Sequence, residues 1–289
     1  MKLRLDRVVD FAIYLALGTI SVGVFLVCYL GHVNELITIP FVSMAENQLP
    51  EQALMQFGLL FVGILFVVLQ TSFHYKKMPE YGDRFAGKML LRTMLVCGCG
   101  TGIFLGLQSL IPLSLNWNEG LLDFTIETHF NLTSTLHYTA ASIFFMFAFF
   151  HMITSVAYSV FIEKTSLKTG RIAFRIACIL FYSVFGLFLL YGTVVEFPAK
   201  RAKNAIPVSY KELNIFAFVE IVAVVIIMLY FRTFRTELKE VQIVTFTPKK
   251  NEKSHFSPKE NLVSKKKNEV IQKRNQKKSK NTKQKKKNK

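Results

Sequence analysis

TLHYTAASIFFMFAFFHMITSVAYSVFI, residues 135–162, runs for 28 residues without one Asp, Glu, Lys or Arg. A helix needs about 20 mostly apolar residues to cross the hydrocarbon core of a bilayer. The run is continuous and does not alternate with period two, so it reads as a spanning helix and not as a strand of a closed barrel. Five further stretches meet the same criterion with at most one charged residue each: 11–30, 53–73, 93–113, 172–194 and 213–231. The expected fold class is all-α, a polytopic membrane protein built as a six-transmembrane-helix bundle.

The charge is distributed to match. Of the net +17, residues 248–289 hold +14, from 17 Lys/Arg against Glu252, Glu260 and Glu269. Residues 1–247 are therefore near neutral and very apolar, a six-span membrane domain carrying a polybasic tail. Apolar runs of this length exclude a soluble globular enzyme, which has no core large enough to hide them. Cys28, Cys97, Cys99 and Cys178 all fall inside apolar runs, where a disulfide framework is not expected. Cys97 and Cys99 lie one residue apart with no histidine beside them, which fits packing and not zinc.

Orientation follows from Lys and Arg in the short connections. Lys2, Arg4 and Arg7 precede the first span; Lys76, Lys77, Arg84, Lys88 and Arg92 join the second to the third; Lys164, Lys168, Arg171 and Arg175 join the fourth to the fifth. Loops 31–52 and 114–134 contain no Lys or Arg, and only the last outer loop dissents, with Lys200, Arg201, Lys203 and Lys211. Both termini are expected in the cytosol. The Asn131-Leu132-Thr133 sequon then falls on the outer side, near the start of the fourth span. The first apolar run is too long for an h-region and lacks an A-x-A-like site, so it reads as a retained signal anchor.

Gly98, Gly102 and Gly106 recur every four residues on the third span, which puts them on one face and lets another backbone approach closely. An internal helix contact is expected there. Ionisable groups inside a span are expensive and are functional candidates by default. Glu220 stands seven residues into the sixth span, roughly 10 Å below the outer boundary at the helical rise. His137 and His151 lie on the fourth span, 14 residues apart and near one face. With Gln108 on the third span they make a candidate polar pocket, able to hold a lipid head group or to run acid–base chemistry. The plainer alternative is that Glu220 only fixes helix order. No metal-ligand set, nucleophile elbow or phosphate-cradling loop is present in the sequence, and neither cofactor nor metal is expected.

The most specific segment is the first outer loop: Gly31-His32-Val33-Asn34, then Pro40 and Ser43, then Pro50-Glu51. It resembles the Frag/DRAM/Sfk family, whose loop follows the pattern GHVN…P-Y-I-S-D-T-G…P-E, and within it the DRAM branch of damage-regulated autophagy modulators. Residues 102–108, the His137-Tyr138-Thr139-Ala140-Ala141 opening of the fourth span, Glu220, and Thr233-Phe234-Arg235-Thr236-Glu237 follow in the family's order, over about 8–244. The departures are Met44-Ala45-Glu46-Asn47, where the family has Asp-Thr-Gly, and Ile221, where an aromatic follows the sixth-span acid. The resemblance implies a non-catalytic six-span protein of endomembranes (lysosome or ER ahead of plasma membrane), acting in autophagy or lipid organisation through lipid or protein contacts. Its alternative is a lipid-remodelling enzyme using His137 and Glu220, by analogy with GPI-anchor remodelling; a transporter is the third class.

Residues 248–289 have one aromatic, Phe256, and few aliphatics, a composition that is expected to stay disordered. Anionic lipids of the cytosolic leaflet are its expected partners, at about 1 kcal/mol per basic residue near the surface, along with a membrane-protein partner for the bundle and no nucleic acid. Thr247-Pro248 and Ser257-Pro258 are candidate phosphosites. Lys286 and Lys287 stand fourth and third from the C-terminus, as in a dilysine retrieval signal.

Overall fold

The structure is a computed structural model and describes residues 2–32, 38–46, 48–81, 85–111, 132–165, 169–191, 210–239 and 242–244. Asn34, the Asn131 sequon, most of the last outer loop, and the tail with Lys286 and Lys287 lie outside the described residues.

Six helices are long and apolar enough to cross a membrane. They are α1 (Leu5–Tyr29), α2 (Glu51–Tyr81), α3 (Phe85–Leu110), α4 (Leu132–Ala157, prolonged by a π-helical turn at Tyr158–Ile162), α5 (Gly170–Tyr191) and α6 (Tyr210–Arg232). A one-turn helix, Arg235–Leu238, follows α6. Several helices overrun the apolar stretches because their charged ends find partners. α2 continues past Phe73 to Tyr81, with Lys77 ion-paired to Glu163 at 2.7 Å and Lys76 donating to the Glu237 carbonyl at 2.5 Å. α1 begins at Leu5, six residues before the apolar run, with Asp10 paired to Arg235 at 3.1 Å.

α3 packs between α2 and α4; α1 lies against α2 and α6; α5 closes on α4 and α6. The α2–α3 seam is a backbone-to-backbone contact. A Cβ on Gly102 would stand 2.5 Å from the Gly63 carbonyl oxygen, and one on Gly98 would stand 2.5 Å from Gln70 Cγ. With no water to expel between helices in lipid, close approach of small residues is what holds such a pair together. The outer faces stay apolar and exposed, as at Phe57, Ile64, Val96, Ile103, Phe181 and Val184.

One feature departs from an all-α chain. Lys2–Arg4 (β1) and Gln242–Val244 (β2) form a two-stranded antiparallel ribbon with Lys2 opposite Val244 and Arg4 opposite Gln242. Three residues per strand leave no periodicity to read. The ribbon puts the start of the unit beside its end at Val244, as six passes require; this is the terminal end, and the other is the loop end.

Candidate functional site

Gly31 is where the site begins. It takes φ +69°, a left-handed value that glycine adopts without a Cβ clash. The Gly31 N–H donates to the Cys28 carbonyl (3.3 Å) and the His32 N–H to the Val27 carbonyl (3.1 Å), the pair of bonds that closes a helix in a Schellman motif. The chain thus leaves α1 with His32 turned to Glu51, and the His32 Nδ1 contacts the Glu51 carboxylate in the first turn of α2. A carboxylate there is also favoured by the partial positive charge of the helix N-terminus.

Between those two anchors the chain folds inward. Pro40 and Ser43 are buried, Pro50 is exposed, and Val42–Glu46 forms a short 3-10 helix packed on α1, α2 and α6. The Val42 N–H donates to Glu220 Oε2 at 2.8 Å, and the Ile39 N–H donates to Asn214 Oδ1 at 3.0 Å, so α6 grips the loop twice. Glu46 is wholly buried, its Oε2 3.6 Å from His137 Nδ1. The same Nδ1 donates to the Ile111 carbonyl at 2.7 Å, since a carbonyl only accepts. Neither oxygen of Glu46 has a hydrogen-bond partner among the described residues, nor has Gln108 Oε1. Burial first, and the Glu220 charge second, hold the Glu46 carboxyl well above the usual carboxylate range.

Glu46 therefore joins His137 and Glu220, which the sequence pairs without an intermediary. Gln108 lies one turn from Ile111, at the same end of the bundle. His151 does not belong to this cluster. It sits about 21 Å along α4 from His137 at 1.5 Å per residue, and its Nε2 donates to Gln70 Oε1 at 2.9 Å. Its ring stacks on Phe231, centroids 5.2 Å apart. A period near 3.6 places both histidines on one face but cannot say which neighbours lie opposite each.

Below His151 lies a second polar cluster, at the terminal end. Arg175 is 1% exposed and donates to Thr233 Oγ1 (2.7 Å), Glu237 Oε1 (2.9 Å) and Ser159 Oγ (3.4 Å). Its guanidinium stands 4.3 Å from the Phe234 ring centroid, and Arg171 reaches the same Glu237 oxygen at 3.1 Å. This ties α5 and the turn after α4 to the exit of α6. It is a structural rivet, and among the described residues no His, Cys, Asp or Glu group could hold a metal ion.

Residues 7–241 match the model of the Frag1/DRAM/Sfk1/Cwh43P N-terminal domain. The chain belongs to this family. The Frag1/DRAM/Sfk1 match takes in the first spanning helix from residue 7, the other five whole, both polar clusters and the Thr233–Glu237 exit. No curated protein and no solved structure matches the chain significantly.

Proposed function

We propose that this Frag1/DRAM/Sfk1-family protein is a DRAM-like, non-catalytic modulator of autophagy or membrane-lipid organisation, working through lipid and protein contacts in a lysosomal or ER membrane. The family match over residues 7–241 carries the reading. The interior supports it where polar side chains are spent on one another, as His151 is on Gln70 and Arg175 on Glu237. A cavity between α1, α2 and α6, lined by Val9, Gln70, Phe231 and Leu238 among others, has about 10 Å³, room for one water. Both termini are placed on the cytosolic side by the Lys/Arg pattern, with residues 248–289 lying on anionic lipid.

A lipid-remodelling enzyme is the second reading, favoured by the meeting of His137, Glu46 and Glu220, in which the buried Glu46 faces the imidazole on one side and a second acid on the other. The two readings part on full-length variants expressed at matched level and location. In cells lacking the protein, Glu220→Gln and His137→Ala should each restore autophagic flux and organelle lipid composition if it is a modulator. Loss of that restoration with unchanged amount and location moves the assignment to an enzyme.

A further inference from the structure

The 3-10 segment Val42–Glu46 meets a titratable group at each end. At its start the Val42 N–H is held by the Glu220 carboxylate; at its end the buried Glu46 carboxyl faces His137. The Nδ1 proton of His137 is committed to Ile111, so the imidazole gives Glu46 no hydrogen bond. The other titratable groups around the segment are few. His32, at the end of α1, is already engaged by Glu51 of α2; α4 adds Tyr138, within electrostatic reach of Glu220; α3 contributes uncharged Gln108. No Lys or Arg among the described residues is ion-paired to Glu46 or Glu220. Two carboxylates enclosed together without a cation cannot both ionise cheaply.

We infer that Glu46, Glu220 and His137 form a proton-binding site that latches the Val42–Glu46 segment onto α4 and α6. One proton on Glu46 closes the latch. When that proton leaves for solvent, the new charge faces Glu220, and the segment withdraws with rupture of the Val42–Glu220 hydrogen bond. The docked carboxyl, held up by burial, binds its proton more tightly than an undocked one. Docking is therefore complete below the ordinary carboxylate range and is lost as pH rises through the raised value. The latch is independent of the modulator reading, because it rests only on the geometry at the loop end.

Hydrogen–deuterium exchange on the full chain in lipid nanodiscs tests it, with rates corrected for the intrinsic pH dependence of exchange. Amides of residues 39–46 should exchange at least tenfold more slowly at about pH 5 than at about pH 8, a factor of ten per proton per unit being the linkage limit. Protection along α2 and α3 should not change. Glu46→Gln, permanently neutral, should keep the segment protected at both values. Equal corrected rates in the wild type, or an unaltered pH dependence in Glu46→Gln, overturn the proposal. If Glu46→Gln fails to fold, shown by lost α2–α3 protection, Glu220→Gln decides: a weakened pH dependence supports the latch and an unchanged one refutes it.

Discussion

Replacing Gly102 with alanine adds one methyl group at the narrowest point of the α2–α3 seam. That Cβ would stand 2.5 Å from the Gly63 carbonyl oxygen, 3.0 Å from Val67 Cγ2 and 3.2 Å from Phe66 Cβ. Comfortable carbon contacts lie at about 3.5–4.0 Å, so the two backbones have to part by about 1 Å. The obstructing atom belongs to a helix backbone and has no rotamer to retreat into. Overpacking ordinarily costs about 1–3 kcal/mol, and this site belongs at the upper end. The gain in helix propensity from Gly to Ala returns about 1 kcal/mol, leaving a net loss of about 2 kcal/mol. Two controls calibrate the result. A Cβ on Gly18 meets nothing within 4 Å, so Gly18→Ala should be neutral or mildly stabilising. A Cβ on Gly106 meets Leu60 Cδ1, a rotatable tip, at 3.1 Å, so Gly106→Ala should fall between the two. SDS-titrated unfolding in mixed micelles, followed by helicity, gives the ranking. If Gly102→Ala unfolds at the same SDS fraction as Gly18→Ala, the seam is not a backbone contact and the packing argument fails.

Arg175→Met strands Glu237 with the partly exposed Arg171 as its one ion-pair partner among the described residues, and should cost about 3–5 kcal/mol in the same titration. Arg175→Lys should recover little of it, because one ammonium cannot reach Thr233, Glu237 and Ser159 together. Removing residues 248–289 should leave the bundle's unfolding unchanged while lowering the affinity of the reconstituted protein for vesicles containing anionic lipid. That difference should shrink as salt shortens the Debye length below about 8 Å; a difference that ignores salt would rule out an electrostatic tail.

The spans were legible because length and hydropathy in lipid leave a chain few choices. Their ends were not, since Lys76, Lys77 and Asp10 look like loop residues until Glu237, Glu163 and Arg235 arrive from elsewhere in the chain. The glycine face of α3 could be read from its spacing, whereas its counterpart Gly63 has a neighbour glycine, Gly58, five residues away and off the four-residue spacing. His137 and Glu220 stood out as polar residues at membrane depth. Glu46 did not, because it lies in a short connection where acids are common, and its contact with His137 spans 91 positions. It registered only as a departure from the family pattern, two places after the position where that pattern has Asp. Arg175 looked like one more interfacial cation, and only folding brings Glu237 and Thr233 to it.

The small ribbon of β1 and β2 has a practical side. Because residue 2 is zipped to residue 244, the transmembrane unit behaves as a cord whose two ends are knotted. A purification handle spliced before Met1 is therefore attached to a pinned strand, and its length decides whether the knot holds.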